Sequence, residues 1–177
     1  MHINCFWVSG SLKGHGYSNE LLEACIKDAK EKGKKGITVI SSPKKKPFLS
    51  DPKYLAYKGF KTADTAEPYY TLLYLPFDDN AEMPKFKEHA KKPNIAEQGL
   101  VLYYTAACPY TAKYALLIEE CARQKGILFK SIQIDSRKKA QNAPSVWTNY
   151  ALFYNGEYLT NEILSEKKFS ALAESLK

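Results

Sequence analysis

The chain has 177 residues, 45% of them hydrophobic and 25% charged, a length that accommodates one domain or two small ones and a composition typical of globular proteins. No apolar run approaches the roughly 20 residues of a membrane span, and no secretory leader pattern opens the chain, so a cytoplasmic protein without membrane partners is expected. Four cysteines without C-x-x-C spacing and three histidines argue against a metal site, while 26 Lys+Arg against 19 Asp+Glu favour anionic partners, either nucleic acid or a phosphorylated small molecule.

Taken in chain order, Ile3 to Val8 reads as a buried strand. The helix after it carries Leu21, Leu22, Cys25, Ile26 and Ala29 on one predicted apolar face and ends near Lys32, with Gly33 as a left-handed cap. Ile37 to Ser41 is a second strand, Pro52 to Lys58 a short helix stopped by Gly59, and Phe60 to Asp64 and Tyr69 to Leu75 two further strands. The polar, proline-punctuated residues 78–98, with one short helix around Lys85 to Ala90, read as a linker between a first domain, 1–77, and a second, 99–177. In the second, strand Leu100 to Thr105, helix Pro109 to Lys125, strand Ile127 to Ile134, strands Tyr150 to Tyr154 and Glu157 to Thr160, and helix Ser165 to Leu176 follow in turn. The lysine run Lys44 to Lys46 reads as a solvated loop more readily than as a nucleic-acid contact.

The stretch VSGSLKGHGYSNELL, beginning at Val8, ends a strand in glycines and enters a helix at once. Such a turn leaves backbone N–H groups without intrahelical partners at the positive end of the helix dipole, a disposition suited to an anion. Side chains at Gly14 or Gly16 would hold a phosphate off the backbone, and Lys13 adds a positive charge. Neither P-loop nor dinucleotide-fold glycine spacing is present.

This run resembles the coenzyme-A loop of the GNAT acetyltransferases, a strand followed by Gln/Arg-x-x-Gly-x-Gly/Ala and a helix starting with an apolar pair. Lys13 stands at the Gln/Arg position, Gly16 at the central glycine, and Ser18 at the final Gly or Ala. The resemblance implies that acetyl-CoA (coenzyme A) is the cofactor. Lys13, Gly14, His15, Gly16, Tyr17 and Ser18 would meet its phosphates, and Phe6, Trp7 and Val8 its pantetheine arm. The Gly59-Phe60 pair after a short helix also matches the C-terminal half of that fold. Leu55 occupies the place of the family's frequent general-acid tyrosine, which leaves Tyr54 and Tyr57 as substitutes. The family's N-terminal strands have no counterpart here. The Ile3 to Val8 edge is therefore expected either to self-associate or to pair with a separately made N-terminal GNAT half.

In the second half, ACPYTAKYA places Cys108 at a helix start, where a thiol's pKa is lowered, and resembles the thioredoxin and glutaredoxin Cys-Pro-Tyr-Cys site with Thr111 in the resolving position. A dithiol cycle is thereby excluded. Thr148 takes the place of that family's cis-proline, and Asn155-Gly156 is a hairpin signal. A GNAT half followed by such a domain is similar to the YoaP-like acetyltransferases across residues 3–177, including the CPYT and YNGEYLTNEI stretches. The expectation is an α/β (α+β) chain in which a partial GNAT-like mixed sheet is followed by a small thioredoxin-like domain. The implied activity is acetyl transfer to a small-molecule or peptide amine. The alternatives are a non-catalytic interaction module and a monothiol redox protein using Cys108 as its catalytic thiol.

Overall fold

The computed structural model describes residues 1–176; Lys177, the last residue of the expected second domain, lies outside the described residues. The fold is α+β, with two mixed four-stranded sheets in two compact units, Met1–Phe86 and Lys87–Lys177.

In the first unit the elements are β1 (His2–Ile3), α1 (Tyr17–Glu31), β2 (Gly36–Ser41), α2 (Pro52–Tyr57), β3 (Lys61–Ala66) and β4 (Tyr70–Pro76), with a single 3-10 turn at Gly10–Leu12. The sheet order is β1-β2-β4-β3. β1 runs parallel to β2, His2 facing Thr38 and Ile3 facing Val39, and the other two pairings are antiparallel. The expected strand Ile3 to Val8 is thus shorter and starts earlier. Its ladder ends at Ile3, and Phe6, Trp7 and Val8 leave the sheet. The core gathers Leu22, Ala29, Ile37, Val39, Leu55, Phe60 and Leu73. Leu21 corrects the expected inner face of α1: it is exposed, whereas Leu22 and Ala29 are buried and Cys25 and Ile26 pack beside them. The residue one step from Leu22 is rotated by about 100° around the helix, out of the core.

In the second unit α3 (Glu88–Lys91), β5 (Leu100–Tyr104), α4 (Pro109–Gln124), β6 (Phe129–Gln133), α5 (Arg137–Gln141), β7 (Tyr150–Tyr154), β8 (Glu157–Thr160) and α6 (Glu166–Ser175) follow. The sheet order is β6-β5-β7-β8, with β5 parallel to β6 and the other pairings antiparallel. α5 lies in a stretch the sequence reading left polar and unassigned; Ser136 caps it by accepting from the Lys139 N–H. Leu102, Ile118, Ala122, Tyr150, Leu152 and Phe169 centre the core between sheet, α4 and α6. Asn155 and Gly156 both take positive φ, 47° and 91°, the conformation a two-residue hairpin needs. No helix of the described residues is long and apolar enough to cross a membrane.

Gly36 opens β2 where the Tyr74 ring lies across the backbone, its hydroxyl donating to the Lys35 carbonyl at 3.0 Å. A Cβ there would meet the ring, the Tyr74 hydroxyl at 2.6 Å and the Leu75 carbonyl at 2.5 Å. The N-terminal amine of Met1 also donates to the Gly36 carbonyl at 2.7 Å, so the backbone is held from both sides. Overpacking of this kind costs about 1–3 kcal/mol. We expect Gly36→Ala to lower unfolding free energy by about that amount in a denaturant titration.

Candidate functional site

The chain leaves β1, turns through Gly10–Leu12 and reaches α1 by way of three left-handed glycines, Gly10 (φ 57°), Gly14 (φ 85°) and Gly16 (φ 86°). Space around the latter two is open, with no atom within 4 Å of where a Cβ would stand. Gly16 is the N-cap of α1 and offers no side chain to the helix, whereas Asp51, Ser136 and Ser165 each cap theirs. The Asn19 N–H folds back to the Gly16 carbonyl at 2.7 Å, and the Lys13 N–H reaches Gly10. Among the described residues no hydrogen bond is donated by the five consecutive amides from Gly14 to Ser18. These amides stand at the positive end of a 15-residue helix, an arrangement able to bind an anion.

Lys13 has no carboxylate partner among the described residues; its ammonium lies 5.4 Å from the centre of the Trp7 ring. His15 and Tyr17 place their rings 6.0 Å apart at the mouth of the same loop. The structure therefore gathers Lys13 to Ser18 with Trp7. Phe6 rests on another support, packed against the core of the first unit and stacked on Tyr54 with ring centres 5.6 Å apart.

Tyr54 in turn donates its hydroxyl to the Asn19 side-chain oxygen at 3.2 Å, which joins the first turns of α1 and α2. The Lys58 ammonium lies 5.8 Å from the Tyr54 ring centre and 5.3 Å from that of Tyr57. Tyr57 is 82% exposed and joins no other member of the set. Asn19 is not singled out by the sequence, because nothing in local spacing announces a contact between residues 35 positions apart.

Cys108 is the N-cap of α4 and half-buried. Thr111, the residue at the resolving position, is buried, its hydroxyl donating to the Cys108 carbonyl at 2.7 Å and to that of Thr105. Neither Cys25 nor Cys121 lies in this loop, and burial pushes both thiols above the usual range. No disulfide joins the four cysteines. Among the described residues no group of three or more His, Cys, Asp or Glu is placed to hold a metal ion.

A YoaP-like family model matches residues 129–170. The Uncharacterized N-acetyltransferase YoaP of Bacillus subtilis (strain 168) is 41% identical over 176 residues, 99% of this chain and 70% of that protein. No solved structure matches the chain.

The position of Tyr54 depends on the cap of α2. Burial pushes the Asp51 carboxyl up, but hydrogen bonds from the Tyr54 and Lys53 N–H groups, together with the Lys45 ammonium, outweigh it and hold the carboxyl below its ordinary value. A lowered folded-state pKa contributes stability above the unfolded pKa, and that contribution is lost as pH falls through the folded one. We expect Asp51→Ala to cost about 1 kcal/mol at pH 7. The difference between the two proteins should narrow below about pH 4 in pH-dependent denaturation.

Proposed function

Since the chain belongs to the YoaP-like family, whose Bacillus subtilis member is named an N-acetyltransferase, we propose that it binds acetyl-CoA and serves acetyl transfer to an amine. The observation that carries this reading is the run of amides from Gly14 to Ser18 without a protein acceptor, at the start of a helix whose cap has no side chain. These residues fit the group: the N–H groups donate to phosphate oxygens, the glycines leave room for close approach, and Lys13 supplies countercharge. Phe6, Trp7 and Val8, outside the β1–β2 ladder, keep backbone groups available for the pantetheine arm. When bound, acetyl-CoA supplies an activated acetyl thioester.

The rest is the work of the protein's own residues. The loop holds one end of the donor, so that the amine attacks within a ternary complex and rate is gained through positioning. Tyr54, steadied by Asn19 and Phe6, is the residue we assign to protonation of the departing thiolate; Tyr57, on the outside of α2, is the weaker candidate. We read the first unit as the coenzyme-A half of a GNAT-like domain and the second as a thioredoxin-like domain. The order β6-β5-β7-β8, with one parallel and two antiparallel pairings, supports the latter.

Isothermal titration with acetyl-CoA tests the site. We expect a micromolar constant, weakened about tenfold in Lys13→Ala and more than 100-fold in Gly16→Val, where tenfold corresponds to about 1.4 kcal/mol. Valine at φ 86° is strained in its own right. Gly16→Asn, which tolerates left-handed backbone but sets a side chain over the amides, should also lose binding while melting near the parent temperature. Silence at millimolar acetyl-CoA, or undiminished binding by both Gly16 variants, would refute the assignment.

A further inference from the structure

The stretch from the end of β2 through α2 concentrates the charge of the chain. Residues 43–58 hold five lysines and one carboxylate, Asp51, in a protein whose net charge is +7. On its own the run Lys44 to Lys46 is a solvated loop, as charge runs commonly are. The structure adds two features that solvation does not require.

The first is bracing. The residues from Pro43 to Phe48 are all exposed, yet Ser41, Ser42 and Leu49 on either side are buried. Ser41 donates its hydroxyl to the Ser50 carbonyl at 2.6 Å, which closes the loop, and Ser42 donates to the Lys44 carbonyl at 2.7 Å. Pro43 and Pro47 restrict the backbone on both sides of the lysines. Of the three, only Lys45 meets a carboxylate among the described residues, Asp51 at 3.4 Å. The second feature is aromatic. Phe48 is 49% exposed at φ 63°, a conformation that a bulky residue adopts only against steric resistance. Ser41 faces Thr71 in the sheet, which brings the turn before β4 alongside, and the Lys46 ammonium lies 4.2 Å from the centre of the Tyr69 ring. Lys53 opens the exposed side of α2, its N–H donating to the same Asp51 that holds Lys45. Lysines and aromatic rings thus interleave on one braced surface.

We propose that this surface binds single-stranded nucleic acid, with Lys44, Lys46 and Lys53 meeting phosphates and Phe48 receiving an unstacked base. A duplex leaves Phe48 no base to stack on, and an anionic membrane would call for more than one apolar side chain among the lysines. The inference concerns the loop between β2 and α2 and stands whether or not Lys13 to Ser18 hold acetyl-CoA.

The test is fluorescence anisotropy of the full chain with labelled oligomers of about 12 nucleotides, oligouridine and oligodeoxythymidine, between about 50 and about 200 mM salt. We expect micromolar binding of at least one oligomer at the lower salt, the tighter of the two identifying the sugar. The slope of log affinity against log salt should be about −2, as three phosphate contacts give on a single strand. Lys44→Gln combined with Lys46→Gln should weaken binding at least tenfold and flatten the slope to about −0.7. Phe48→Asn, which keeps the left-handed backbone, should weaken binding about tenfold with the slope and the melting temperature unchanged. Lys138→Gln, in the exposed basic helix α5 that has no aromatic residue, should leave binding as it is. No binding to either oligomer, equal affinity for a duplex, for oligoglutamate or for phosphatidylserine vesicles, or an affinity indifferent to Phe48→Asn would overturn the proposal.

Discussion

The parallel pairing of His2 and Ile3 with Thr38 and Val39 sets the direction in which the chain leaves the first sheet. Two residues of ladder anchor β1, aided by the Met1 amine on the Gly36 carbonyl and the Thr38 N–H on the Met1 carbonyl. The ladder with β2 ends at Ile3, and the chain then turns through glycines into α1. A longer ladder would have tied down the backbone of Phe6 to Val8. The left-handed Gly16 then converts the turn into a helix start whose first amides face outward, because a side-chain cap would have consumed one of them.

Around this start the contacts are side-chain cross-braces. Tyr54 reaches Asn19 on α1 and stacks on Phe6, so α2, α1 and the segment leaving β1 are held by one phenol. α2 is only six residues long, too short to persist by propensity alone, and its Asp51 cap compensates. The geometry of the loop region therefore rests on a capping carboxylate more than thirty residues away in sequence.

The second unit is organised differently. β5 pairs along all five residues with both β6 and β7, and its core closes between sheet, α4 and α6. α4 begins after β5 with Cys108 at its N-cap and Thr111 folded back on the preceding carbonyls. Thr111 thus serves the local backbone at the place where a second cysteine would make a dithiol, which leaves Cys108 without a thiol partner in its own helix turn.

Much of this order was legible in the chain itself. Glycine and proline punctuation and apolar periodicity located the principal helices and strands to within a few residues, because left-handed backbone and missing N–H groups are local properties. Gly14 and Gly16 could be read as a loop with free amides for the same reason. Tertiary structure alone decided what those local rules do not encode. The ladder of β1 stops at Ile3 because pairing depends on where β2 lies, and Leu21 faces outward because only packing chooses which apolar stripe of α1 meets the core. Tyr54 meets Asn19 because the sheet brings two helix starts together across 35 residues. Sequence thus determined the elements and the conformations special to glycine, and the long-range pairing of the sheet determined which side chains share a site.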